Sequence, residues 1–121
     1  MSLVGSSSES FGADLLQRVE VLEEQIRRRS VIVPIQDLAP ARVEVIQPIL
    51  AIIQEEDGAF VASFVDANIN ASGESQLDAV EMLKDVIASS FQLFLKKEGV
   101  LGDEPRRQLA VLRHFVRIPQ E

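Results

Sequence analysis

The chain of 121 residues has no cysteine, no tryptophan and no tyrosine, and it has one histidine, His114. Without cysteine there are no disulfides, thiolate nucleophiles or thiolate metal sites, so a reducing cytoplasm is the compartment that we expect. No apolar run approaches the roughly 18 residues that a membrane-spanning helix requires. The pattern also lacks the apolar core of a secretory signal peptide, so we expect neither a membrane span nor export.

Sequence motifs for catalysis are equally scarce. His114 has no cysteine or second histidine as a partner, and the six glycines are scattered rather than grouped in a phosphate-binding loop. The carboxylates Asp57, Asp66, Glu74 and Asp78 offer one alternative, a metal-dependent nuclease, if they converge on a divalent ion. Such residues are also common in turns and helix caps for local reasons. We therefore predict no enzyme, no cofactor and no metal site.

Acidic residues, in contrast, are abundant and unevenly distributed. The chain has 19 acidic and 12 basic side chains, a net charge of −7 and a pI of about 4.7. Residues 54–85 hold eight acidic residues and one basic residue, Lys84, so this segment alone accounts for the net charge. It is either a solvated acidic face that keeps the protein soluble or a surface for a basic partner. The charge argues against direct nucleic-acid binding.

The beginning of the chain is predicted to be separate from the main domain. Residues 1–10 are small and polar and are expected to form a disordered leader. Residues 11–30 follow a helical pattern in which the apolar positions are spaced 4, 3 and 4 apart, as in a coiled coil. These positions are Leu15, Val19, Leu22 and Ile26. A single helix of this length needs a surface to pack on. Its own core and a second copy are the alternatives, and we favour dimerisation.

A β-hairpin is the clearest pattern in the rest of the chain. A strand at 49–54, apolar on both faces as in a central strand, is followed by a turn at 55–58 and a strand at 60–66. Gly58 is placed to adopt a positive φ in that turn. A short third strand is expected at 68–72.

The longest helix is predicted to begin after Ser75, with Asp78 in a capping-box-like position, and to end near Lys97. Its core face has the apolar residues Leu77, Val80, Leu83, Ile87, Phe91 and Phe94. A second stripe contains Ala79, Met82, Val86 and Leu93. Either another helix of the same chain covers this stripe, or it is a surface for self-association. For oligomerisation we select Met82, Val86 and Leu93, together with the amino-terminal apolar positions.

The remaining segments complete an α+β fold. Residues 31–35 and 43–46 are extended, and Pro34 restricts the first of them to a sheet edge or a linker. A short helix is expected from 103 to about 113, with an edge strand at 114–118. We therefore predict an antiparallel sheet of three or four strands packed on one long helix. An amino-terminal helical extension and a short carboxy-terminal helix flank this core.

Residues 49–91 resemble the HicB-like antitoxin family of small bacterial proteins. The resemblance is carried by the strand sequences ILAII and FVASF, the acidic turn EDG between them, and the segment ASGES before the Asp78-Ala79 pair that opens the helix. It implies that residues 31–121 form a HicB-like domain with a core module at 49–97. It also implies a β-β-β-α module related to a truncated ribonuclease H fold without that enzyme's active site.

The family resemblance further implies a function in which no covalent chemistry takes place. Family members bind a small basic toxin that cleaves messenger RNA, occlude its RNA-binding surface, and assemble as dimers or tetramers. No DNA-binding tail is evident after Lys97, so operator binding is not implied for this chain. We predict a cytoplasmic antitoxin whose partner-binding residues are Glu55, Glu56, Asp57, Asp66, Asn68 and Asn70. The alternative is a homo-oligomeric structural protein unrelated to toxins.

Overall fold

A computed structural model describes residues 30–120. The leader at 1–10 and the helix at 11–30 lie outside the described residues, apart from Ser30, and stay predictions. The same holds for the apolar positions Leu15, Val19, Leu22 and Ile26.

The described part of the chain has an α+β fold, as predicted. The strands are β1 (Ser30–Ile35), β2 (Glu44–Val45), β3 (Ile49–Glu56), β4 (Ala59–Phe64), β5 (Ile69–Gly73) and β6 (Val116–Arg117). The helices are α1 (Gln76–Lys96) and α2 (Asp103–Leu112), with 3-10 turns at Val65–Ala67 and Glu98–Val100. A four-stranded antiparallel sheet has the order β1-β3-β4-β5, and β2 pairs with β6 separately. β1 therefore lies at an edge, where its Pro34 is tolerated.

The β3–β4 hairpin is tighter than the sequence pattern predicted. Glu56 pairs with Ala59, which leaves only Asp57 and Gly58 in the turn. Both residues have positive φ, 51° and 82°, as a two-residue turn matched to the strand twist requires. The predicted turn at 55–58 was therefore too long, because Glu55 and Glu56 belong to β3.

One face of the sheet is buried under α1. Ile49, Ala51 and Ile53 of β3 point to the helix and are fully buried, whereas Leu50 between them is 57% exposed. This alternation is typical of an antiparallel sheet with one covered face. β3 is thus central in the strand order, as predicted, although only one of its two apolar faces is fully buried.

Helix α1 begins as predicted, because the Ser75 hydroxyl accepts a hydrogen bond from the Asp78 backbone N–H at 3.0 Å. Its buried side includes Leu83, Ile87 and Phe91. Two assignments on this helix were wrong. Leu77 is 69% exposed, although Ala79 in the same turn is fully buried. Ala79, assigned to the second stripe, is buried in the core cluster instead.

The carboxy-terminal elements close the other end of the sheet. Helix α2 packs on α1 and on the 3-10 turn after β4, and β6 returns the chain to β2. Phe115 meets Phe64 edge to face, with ring centroids 5.0 Å apart. Glu44 and Arg117, opposite each other in the β2–β6 pair, form a salt bridge at 2.6 Å. Within residues 30–120 no helix is long and apolar enough to cross a membrane.

Candidate protein-binding site

A surface cavity of about 540 Å³ opens where three elements meet: the beginning of β4, the end of β5 and the first turns of α1. Its lining consists of Ala59, Ser72, Gly73, Glu74, Asp78, Glu81 and Met82. Three of these seven residues are carboxylates and none is basic. The cavity therefore combines negative charge with the apolar side chains of Ala59 and Met82.

Strand register explains why these residues come together. Glu56 pairs with Ala59, and Phe60 pairs with Gly73, so the β3–β4 turn lies beside the end of β5. Gly73 then allows α1 to begin close to the sheet. A Cβ atom at this position would lie 2.5 Å from the backbone nitrogen of Ala79, a distance that real structures do not tolerate.

We call the group formed by Glu55, Glu56, Asp57, Glu74 and Asp78 the acidic end of the molecule. None of these five carboxylates has a salt bridge to another residue in the range 30–120. Glu81, beside them, has a contact with Lys84 at 3.6 Å. Four arginines at the carboxy-terminal end, by comparison, all have acidic partners: Arg106, Arg107, Arg113 and Arg117. The negative charge of the 54–85 segment is thus unbalanced in three dimensions as well.

Lys84, the one basic residue of that segment, is already engaged by acidic neighbours. Its ammonium lies 3.4 Å from Asp37 Oδ1 as well as near Glu81, and its side chain is largely buried. The backbone N–H of Ala39 also donates to Asp37 Oδ1, at 3.0 Å. This hydrogen bond and the Lys84 cation hold the pKa of Asp37 below its ordinary value. Lys84 consequently does little to neutralise the acidic end.

The predicted partner-binding residues fall into two groups at opposite ends of β4. Glu55, Glu56 and Asp57 belong to the acidic end, at the beginning of that strand. Asp66 follows the strand's other end, in the 3-10 turn, and Asn70 pairs with Ser63 near that end. The structure does not bring these two groups into one patch.

Asp66 and Asn68 also take part in the local structure of the 3-10 turn. Asn68 ends the 3-10 turn with φ 55°, a left-handed conformation that asparagine adopts more readily than most residues. Gln108 of α2 donates its side-chain amide to the carbonyls of Ala67 and Asn68, at 2.9 and 3.3 Å. Arg107 donates to the carbonyl of Asp66 at 3.2 Å. These contacts attach the turn to α2.

A second cavity, of about 340 Å³, lies at this other end of the sheet. Its lining is mostly apolar and consists of Ile32, Gln47, Pro48, Leu50, Ile52, Phe64, Val65, Asp66 and Phe115. Asp66 is its single charged residue. The two cavities therefore differ in chemistry, and only the first one is acidic.

The choice of site residues from sequence missed Glu74, Asp78 and Glu81. All three were counted in the acidic segment, but Asp66, Asn68 and Asn70 were selected instead. A signal was present, because a two-residue turn at Asp57-Gly58 sets the register of β4. From that register the end of β5, and hence Glu74, follows as the neighbour of the turn.

The carboxylates of the nuclease alternative do not converge. Glu74 and Asp78 line the acidic cavity and Asp57 lies in the neighbouring turn, whereas Asp66 lines the cavity at the opposite end of β4. Among residues 30–120 no group of three or more histidine, aspartate or glutamate side chains is placed to hold a metal ion.

Comparison of the chain with known protein families, with curated proteins and with solved structures finds no match in any of the three. The HicB-like resemblance accordingly stays an inference from the residues that carry it.

Proposed function

We propose that the protein is a non-catalytic binding module whose acidic end holds a small basic protein. One observation carries this proposal: five carboxylates at one end of the sheet have no salt bridge within the described range, while the basic residues of α2 are paired. A surface of this kind attracts and orients a cationic partner. Like charges grouped without partners are costly for the free protein, which favours a binding role over a purely structural one.

The class of partner comes from the HicB-like resemblance. We propose a cytoplasmic antitoxin of a type II toxin–antitoxin pair, bound to a small basic RNA-cleaving toxin. The succession of β3, β4, β5 and α1 supports this class, because the family module has the order β-β-β-α. An RNA-cleaving enzyme needs a basic surface for the phosphates of its substrate. Carboxylates of the acidic end would occupy that basic surface, and occlusion would block RNA without any covalent step.

The acidic cavity supplies both parts of such a contact. Lysine and arginine side chains have an apolar stem and a charged head. The stem would lie on Ala59 and Met82, while the charged head would contact the carboxylates of Glu74 and Asp78. The earlier candidates Glu55, Glu56 and Asp57 extend the same surface along the hairpin. A toxin that also contacts Asp66, Asn68 and Asn70 must extend along the whole of β4, a strand of six residues that is about 20 Å long.

The test is capture of the tagged full-length protein from its native cells at low salt, with identification of bound proteins by mass spectrometry. We expect a small basic protein in stoichiometric amount, released when the salt concentration rises. The double variant Glu55→Lys, Glu56→Lys should slow association and so weaken the complex at least about tenfold. The binding that remains should depend less on salt concentration.

A matched control is available at two acidic residues outside the acidic end. The double variant Glu98→Lys, Asp103→Lys changes the net charge by the same amount at residues that already have arginine partners. Its affinity should stay within about twofold of the unmodified protein. Equal weakening by both variants would show a general charge effect and contradict a contact at the acidic end. Recovery of the protein with only itself would favour the homo-oligomeric alternative.

A further inference from the structure

Helix α1 carries an exposed apolar stripe. Met82 and Leu93 are each 49% exposed, Val86 is half-buried and Ser89 is exposed. These four positions are spaced 4, 3 and 4 apart, so they lie on one line along a helix of 3.6 residues per turn. We call Met82, Val86, Ser89 and Leu93 the α1 stripe.

Opposite charges stand at the two ends of the stripe. Asp78 precedes Met82 by four residues, and Lys97 follows Leu93 by four. Neither Asp78 nor Lys97 has a salt bridge with any residue between 30 and 120. An acid at the start and a base at the end of a helix suit the helix dipole. The dipole does not account for the half-exposed Met82 and Leu93 between them.

We propose that the α1 stripe binds the same stripe of a second copy, with the two helices antiparallel. A two-fold axis near residues 87 and 88 places Met82 opposite Leu93 of the second copy and Val86 opposite Ser89. The same axis places Asp78 opposite Lys97 of the second copy, once at each end. A parallel arrangement would instead place Asp78 against Asp78 and Lys97 against Lys97. The stripe is therefore complementary to itself in one direction only.

Side-chain size supports the same arrangement. In an antiparallel pair the small Ser89 faces the β-branched Val86, which lets the helices approach closely at the centre, while Met82 and Leu93 fill the layers on either side. One stripe of this length buries less than the roughly 1,200–2,000 Å² of a stable interface. We accordingly expect a reversible dimer with a Kd of about 10–100 µM.

Cysteine cross-linking tests the register directly, because the chain has no cysteine of its own. The full-length variants Met82→Cys and Leu93→Cys are prepared with tags of different size, and disulfide formation under mild oxidation is followed by gel electrophoresis. The mixture should form the mixed disulfide at least about fivefold faster than either variant forms its own dimer. The pair Leu77→Cys and Leu93→Cys is the control, since Leu77 is exposed on the same helix but lies off the stripe.

Two results would overturn the antiparallel dimer. One is a mixed disulfide that forms no faster than in the Leu77 control. The other is fastest linkage of Met82→Cys to itself, which would indicate a parallel pair. Sedimentation equilibrium gives an independent readout: Leu93→Glu should raise the Kd at least about tenfold with an unchanged circular dichroism spectrum, and Leu77→Glu should not. These measurements are made without a basic partner, so their outcome is separate from that of the capture test of the acidic end.

Discussion

Gly73 shows how a single missing side chain positions the acidic cavity. A Cβ atom there would lie 2.5 Å from the nitrogen of Ala79 and 2.7 Å from the Cβ of Asp78. Because backbone atoms cannot move aside easily, Gly73→Ala should lower the free energy of unfolding by about 1–3 kcal/mol in urea titration. At Gly99 an added Cβ meets nothing within 4 Å, so Gly99→Ala is the control. Equal effects of the two substitutions would contradict the close approach of α1.

Asp37 should make stability depend on pH in a defined direction. Its pKa is lowered below 3.8 by the Ala39 hydrogen bond and by Lys84, so the ionised form is favoured in the folded protein. The resulting stabilisation is complete above 3.8 and is lost as pH falls through the folded-state pKa. Asp37→Ala should therefore be less stable than the unmodified protein at about pH 7, and the difference should shrink towards about pH 2. Urea unfolding of both proteins across this pH range measures the difference in stability. A difference that stays constant with pH would contradict the prediction.

Single residues were predictable from sequence where their role is local. Gly58 was expected to have a positive φ, and Ser75 was expected to cap the long helix; both are confirmed. Asn68 was expected only to begin a strand, and Gly73 follows the predicted end of that strand at residue 72. Their roles depend on the position of α1 and α2, which no local pattern contains.

At the scale of elements, the hairpin and the long helix were predicted because each has a strong pattern of its own. The pairing of β2 with β6 was not, since it joins segments about 70 residues apart in sequence. Burial within an element was also only partly predictable. Leu77 has the spacing of a core residue but is 69% exposed, because spacing along a helix does not show which of its turns are covered. The membership of the acidic end was likewise not predictable from local pattern, because Glu74 becomes a neighbour of Asp57 only through the strand register.

The beginning of α1 gives a prediction for a whole element. Ser75 satisfies the backbone N–H of Asp78, one of the unpaired donors at the first turn. Ser75→Ala should lower the free energy of unfolding by about 1 kcal/mol, whereas Ser75→Asp, which can also accept this hydrogen bond, should stay within a few tenths. Thermal or urea unfolding of the two variants measures these differences. A loss of equal size in both would mean that the hydroxyl packs rather than caps.

At the scale of the whole molecule, α1 joins the two proposed surfaces. Its first turn contributes Asp78 to the acidic end, Glu74 lies just before its N-cap, and its outer side contributes the α1 stripe. Because Asp78 and Met82 belong to both, an antiparallel dimer would occupy both of them, with Asp78 paired to Lys97 of the second copy. It would leave Glu55, Glu56, Asp57 and Glu74 for a basic partner. A dimer of this kind would carry two acidic ends, one at each end of the helix pair.

Unbalanced charge should also be visible in the stability of the free protein. Glu55→Gln with Glu56→Gln removes two repelling charges, so the melting temperature should rise in low salt, and the gain should shrink by more than half at about 1 M salt, where the Debye length is about 3 Å. Glu98→Gln with Asp103→Asn removes the same net charge but breaks two salt bridges. Its melting temperature should not rise. A rise in both variants would mean that net charge alone matters, and that the acidic end has no special place in the molecule.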